Sequence, residues 1–179
     1  MKNHEASTEE IMSGSKPMLH FMCGKMAAGK STLARKIAAQ QEAILICEDL
    51  WLSRLYPDEI KSFDDYLQCA ARLKGVVAPH VVDLLRQGIS VILDFPGNTP
   101  NQRAWFRGIV EAAEADHLLH FPDVPDAMCK TQLQKRNHEL PEGSQVMTEE
   151  EFELVTSYFV PPAEEEGFHI LRYPVMEDR

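Results

Sequence analysis

Gly24-Lys25-Met26-Ala27-Ala28-Gly29-Lys30-Ser31 fits the pattern G-x-x-x-x-G-K-[ST] without a gap. Residues 19–23 before it are mostly apolar and read as a buried strand. Residues 32–39 after it are good helix formers, with Leu33 and Ile37 four apart on one face. Strand, tight loop and helix form the setting in which this pattern binds phosphate. Small residues let successive backbone N–H groups turn inward toward phosphate oxygens. The helix then presents its positive end to the same group. Lys30 would reach the β- and γ-phosphates, Ser31 would hold Mg²⁺, and Thr32 would complete the cradle. An accidental match in a turn has a chance of about 1% in a chain this long.

Working outward, the bulk properties suit one soluble domain. The chain has 179 residues, 44% of them hydrophobic and 26% charged. No apolar run approaches the roughly 18 residues of a membrane span. Residues 1–16 are polar, lack a signal-peptide core and read as a flexible N-terminal tail ahead of a domain at 17–179. The net charge of −10 argues against a broad basic surface for nucleic acid, though a local basic groove stays open. The four cysteines are scattered without zinc-ligand spacing and fit a reducing cytoplasm.

Residues 43–47 predict a second buried strand, with Glu48-Asp49 at its carboxyl end. In open parallel sheets ligands bind at that edge, so Asp49 can face the γ-phosphate; equally, Glu48 or Asp49 can cap the next helix. Residues 63–87 carry helical periodicity, and Pro79 should kink or interrupt it. Residues 89–94 form an apolar run ending in Asp94, as in a Walker B strand whose acid binds Mg²⁺ directly or through water. Asn98, Thr99 and Arg103 follow on the same edge and could touch substrate; Thr99 and Pro100 also read as the cap and first residue of a helix over 101–115. A fourth strand is expected at 116–121 and a fifth at 168–173.

Between these two strands, residues 125–137 and the capping box Thr148-x-x-Glu151 predict two helices around an irregular loop. The helix–loop–helix over about 130–159 reads as a lid. Lids exclude water and can bring an Arg onto a transferring phosphoryl group. Arg136 is the candidate, with a helix-dipole role as the alternative.

This succession resembles the small P-loop kinases of the nucleoside-kinase class. The nearest resemblance is to bacterial ATP-binding proteins grouped as zeta-toxin-like and polynucleotide-kinase-like; chloramphenicol phosphotransferase and gluconate kinase are more distant by pattern. The segments that carry it are 23–34, 46–49, 93–99 and 133–137. It implies a P-loop NTPase fold: a nucleoside-kinase-like three-layer α/β/α domain with a five-stranded parallel sheet and a helical lid. It implies ATP and Mg²⁺ as cofactors and a kinase that phosphorylates a hydroxyl. Phage-type polynucleotide kinase has a general-base Asp at the end of its second strand, and Asp49 matches that place. The loop Lys and the lid Arg carry over to Lys30 and Arg136. The usual Asp-Asp pair with a close Arg is replaced by Glu48-Asp49, with Arg54 further on. A small-molecule acceptor is expected, with a polynucleotide 5′-hydroxyl kinase or a nucleotide switch acting through a protein partner as alternatives.

Overall fold

The computed structural model describes residues 16–174, so the N-terminal tail expected at 1–16 lies almost wholly outside the described residues. Five strands form one sheet: β1 (Met18–Met22), β2 (Ile44–Cys47), β3 (Val91–Asp94), β4 (Asp116–Asp123) and β5 (Ile170–Pro174). Their spatial order is β2-β3-β1-β4-β5, and every neighbouring pair is parallel. β1 therefore sits centrally, with chain connections leaving on both sides of it. That is the topological switch point at which α/β sheets bind ligands.

Both faces of the sheet are covered, as a parallel sheet requires. Leu19 and Phe21 of β1 and Val91 and Leu93 of β3 face the larger core. Two helices close that side: α2 (Glu48–Leu55), through Leu52, and α3 (Phe63–Arg86), through Leu73, Val77, Val81 and Leu85. Phe106 and Ile109 of α4 (Pro100–Ala113) complete the core there. Met22 and Ile92 face the other way, against Ala34 and Ile37 of α1 (Lys30–Gln41). The alternation along each strand thus sorts residues into two apolar layers.

The remaining helices are α5 (Asp126–Glu139) and α6 (Glu149–Ser157). The predicted capping box of Thr148 and Glu151 starts α6. The predicted Thr99 cap starts α4 with Pro100 in its first turn, where Gln102 completes a second box not expected from the sequence. α5 reaches Glu139, two residues beyond the expected end, and Leu140 closes it with φ 40°. Pro79 does not interrupt α3, which runs unbroken for 24 residues. The carbonyl a proline ring presses on is four residues earlier, and that residue is Gly75, with open space around it. Among the described residues, no helix is long and apolar enough to cross a membrane.

Candidate functional site

Residues 24–29 link β1 to α1, and Gly29 is the N-cap of α1 with φ 85°. A side chain there would be strained in this left-handed conformation. No side chain caps the first turn of α1 and none of its residues there is acidic. Its leading N–H groups are thus left to an anion, with the helix dipole behind them. Lys30 Nζ folds back over the loop and donates to the carbonyls of Gly24 and Lys25, each at 2.6 Å. Burial draws the Lys30 ammonium below its ordinary range, and Asp94 is the strongest influence pulling it back up. A phosphate taking up the ammonium would relieve that cost of burial.

Ala27 adopts φ 58°, a left-handed conformation for a residue with a β-carbon. Ala28 is buried against Cys129 and Leu133 of α5 and Phe152 of α6, with Met26 and Ala27 packed alongside. The loop's apolar residues therefore also form the floor on which the helix–loop–helix rests.

Asp49 and Asp94 emerge at the carboxyl ends of neighbouring strands, where Cys47 and Asp94 are register partners. Neither Glu48 nor Asp49 caps α2: Cys47 holds the N-cap position without a side-chain bond, and both acids lie in the first turn. Asp49 keeps an exposed surface while its carboxylate is crowded by protein groups. Burial raises its pKa, and repulsion from Asp94 raises it further; Arg136 and then Lys30 oppose this. Arg136 comes from the last turn of α5, where its charge also suits the helix dipole. Its Nε is buried without a hydrogen-bond partner among the described residues. Asp94, Lys30 and Arg136, separated in sequence, are therefore brought near enough to Asp49 for their charges to act on it.

The Cys47 thiol lies 3.5 Å from Asp94 Oδ2 and donates toward it. Ser31 and Asp94 offer hard oxygen donors of the kind Mg²⁺ takes. The repulsion of Asp49 by Asp94, which Arg136 and Lys30 oppose only in part, is what a divalent cation would offset further. The donor set fits the ion.

The three downstream candidates have other duties. Thr99 Oγ1 accepts the Gln102 N–H as a helix cap. Asn98 Oδ1 accepts the Gly24 N–H at 3.1 Å, so it touches the phosphate loop directly. Arg103 is fully buried and forms a two-pronged pair with Glu166, 2.7 Å on each side. It also donates to the carbonyls of Gly97 and Val160. It is a structural tie with no surface left for substrate, which corrects the expectation from sequence. Its helical position, facing the core with Phe106, is the reason.

Two polar clusters went unnoticed in the sequence. Glu48 is buried, accepts a hydrogen bond from Tyr66 Oη at 2.8 Å, and stands 3.8 Å from Lys74 Nζ. Its pKa is raised by burial, against the pull of Lys74 and Tyr66. His20 Nδ1 and His120 Nε2 are 2.9 Å apart, and His120 Nδ1 is 2.7 Å from Tyr173 Oη. Polar residues inside apolar runs are the only hint of either cluster, since their partners come from distant elements.

The sheet order, phosphate loop and acid-tipped strands together define a P-loop NTPase. A family model for an AAA domain (AAA_33) matches residues 19–162, and the chain belongs to that family. Solved structures agree on the fold. A candidate kinase from Chloroflexus aurantiacus J-10-fl is similar with TM-score 0.70 and 17% identity, over 90% of this chain and 87% of that one. The APS kinase CysC of Mycobacterium tuberculosis, in complex with AMPPNP and APS, is similar with TM-score 0.60 and 18% identity over 92% of each chain. Chaetomium thermophilum Kti12, in complex with ADP-AlF3, is similar with TM-score 0.62 and 15% identity, over 87% of this chain and 89% of that one. No curated protein matches the sequence.

Proposed function

We propose that the protein is an ATP- and Mg²⁺-dependent kinase that phosphorylates a hydroxyl of a small molecule. The carrying observation is the setting of Asp49: a carboxylate with a raised pKa, between a phosphate-loop lysine and a lid arginine. A general base works best when its pKa is drawn toward the working pH. The nucleotide analogues in CysC and Kti12 support a nucleotide at the matching loop.

In this reading residues 17–179 make up the kinase domain and about 130–159 the lid. The N–H groups of residues 24–32 cradle the phosphates of ATP. Lys30 leaves the Gly24 and Lys25 carbonyls for the β- and γ-phosphates. Asp49 accepts the acceptor's hydroxyl proton as its oxygen attacks the γ-phosphorus. The bond from phosphorus to the β–γ bridging oxygen breaks, and ADP departs with that electron pair. Arg136 and Lys30 neutralise the charge on the phosphoryl group in flight. Ser31 and Asp94 would hold Mg²⁺, which when bound screens the phosphate charge. Four unpaired cysteines suit a reducing cytoplasm.

A polynucleotide acceptor finds less support. The arginines that could form a basic channel to Asp49 are Arg54, Arg72, Arg103 and Arg107. Arg103 is committed to Glu166 and Arg107 to the Glu166 carbonyl and the Phe168 ring, while Arg54 makes an exposed pair with Glu142. A switch acting through a protein partner leaves the raised pKa of Asp49 without a use. The deciding experiment is a thermal-shift screen of acceptors against protein loaded with AMPPNP and Mg²⁺, followed by turnover with ATP. Stabilisation by nucleotide but ATP hydrolysis that no acceptor stimulates would favour the switch. Tight, steeply salt-dependent binding of an oligonucleotide would favour the end kinase.

A further inference from the structure

We propose that Asn98 is a positioning residue, one that fixes the phosphate loop and joins it to the far end of the lid. Its three polar connections run to three different elements. The side-chain Oδ1 accepts the Gly24 N–H at 3.1 Å. The backbone N–H donates to Gln102 Oε1 at 2.8 Å. The backbone carbonyl accepts the Val160 N–H at 2.9 Å, just beyond α6. Because Gly24 supplies an N–H, the Asn98 atom facing it has to be the oxygen, which settles the amide's orientation.

The residue is held rigidly enough to act as a reference point. A β-carbon on the preceding Gly97 would lie 2.5 Å from the Met22 carbonyl oxygen, so the backbone there is pressed against the end of β1. The Gly97 carbonyl accepts from Arg103 Nη1 at 2.9 Å, and the same nitrogen donates to the Val160 carbonyl at 3.0 Å. Arg103 is in turn locked by Glu166. The Arg103–Glu166 ion pair, a capping box and a close backbone approach therefore fix the backbone on which the Asn98 side chain is mounted.

What that side chain governs is the start of the loop. Gly24 receives the hydrogen bond on its N–H and gives its carbonyl to Lys30 Nζ at 2.6 Å. Asn98 thus sets, through Gly24, where the lysine rests before nucleotide arrives. The Val160 contact places the lid's exit in the same frame. A supporting shell of this kind holds a reacting group to its productive geometry.

The test has two parts. The first needs no nucleotide: amide hydrogen exchange in the Asn98→Ala variant, with Asn98→Asp as the conservative replacement. Asn98→Ala should speed exchange at Gly24 by about fivefold to tenfold, the worth of one hydrogen bond. Asn98→Asp keeps an acceptor oxygen and should leave Gly24 protected, and the core amides of Phe21 and Leu93 should be unchanged in both. Equal acceleration everywhere, or none at Gly24, would overturn the proposal. The second part is a double-mutant cycle on AMPPNP binding with Lys30→Met. Asn98→Ala should weaken binding about fivefold with Lys30 present and have no further effect in the Lys30→Met background. Full additivity would mean Asn98 does not act through the lysine. A wild-type protein that bound no AMPPNP would instead count against the kinase reading, while the exchange result would still decide the role of Asn98.

Discussion

Gly143, in the lid loop, lies so close to Asp49 that a β-carbon on it would stand 3.0 Å from the Asp49 carbonyl oxygen. The contact brings the lid loop onto the residue proposed as base. Its neighbours reinforce it: Glu142 pairs with Arg54 of α2 at 2.9 Å. That pair is exposed and contributes little by itself. Besides the Arg136 charge, the lid therefore meets the acceptor side through this backbone contact and a solvated ion pair, whereas it meets the phosphate loop through a buried apolar cluster.

Gly143→Ala should break the weaker of these two contacts. Gly143 has φ 84°, so a methyl group there adds about 1 kcal/mol of backbone strain to the clash with Asp49. The lid loop should lift and AMPPNP affinity should be almost unchanged, since the phosphate loop is untouched. Turnover with an acceptor should fall, because the cleft no longer closes over Asp49. Calorimetric titration and steady-state kinetics separate the two effects. A fall in nucleotide affinity equal to the fall in turnover would show that the lid loop serves the donor side instead.

The fold was legible because its signals are local. The phosphate loop, the acid-tipped strands, the Thr99 cap, the Thr148 capping box and the alternation within β1 and β3 each sit within a few residues of sequence. Arg103 shows where that kind of reading stops. Its place after a substrate-side loop suggested a ligand contact, but its partner, Glu166, is 63 residues away. Nothing local marks Glu166 as the partner of a buried arginine. Asn98 was flagged for the right loop, while its actual contact, Gly24, lies 74 residues earlier. The meeting of Asp49 with Arg136 likewise depends on how the lid folds back, which periodicity does not encode.

Arg103→Met should cost about 1–3 kcal/mol, the penalty for leaving buried carbonyls without their donor, because the Glu166 carboxylate left behind is partly exposed and can be solvated. The Glu166 carboxylate is held below its ordinary range chiefly by the hydrogen bond from Arg103. Losing that bond also frees the Gly97 and Val160 carbonyls. Chemical denaturation measures the loss. A change under 1 kcal/mol would mean that the Arg103 tie adds little to the packing around it.

The histidine pair should make stability fall on acidification. Burial lowers the pKa of His120 from 6.5 to about 4, with His20 as a further cause, and burial lowers His20 as well. A group whose pKa is depressed by folding contributes stability that is present above its unfolded value and lost as pH falls toward its folded one. The loss should therefore set in near pH 6.5 and run toward about 4. Glu48 works in the opposite sense. Its raised pKa makes folding more favourable where the carboxyl is protonated, and that gain fades as pH rises through the folded value. Urea titrations across this range should show the histidine slope, and His120→Gln should flatten it. A slope unchanged by that substitution would assign the acid sensitivity elsewhere.

Asp49 should leave its signature in the pH dependence of catalysis. As a base it works only when ionised, so turnover should fall as pH drops through its pKa. That limb should lie above the ordinary 3.8 of an aspartate, because burial and Asp94 both raise it. Asp49→Asn should lower turnover by roughly 10²–10⁴-fold, the usual worth of general-base catalysis, and leave AMPPNP affinity nearly intact. Removing the guanidinium in Arg136→Gln tests the geometry as well as the chemistry. Arg136 is the strongest influence holding the Asp49 pKa down, so its loss should move the acid limb to higher pH as well as slow the reaction. A limb that stayed in place would mean the lid arginine and Asp49 are too far apart in the working enzyme to interact. A limb that disappeared with Asp49→Asn, yet shifted upward with Arg136→Gln, would tie both residues to one hydroxyl-activating centre under the lid.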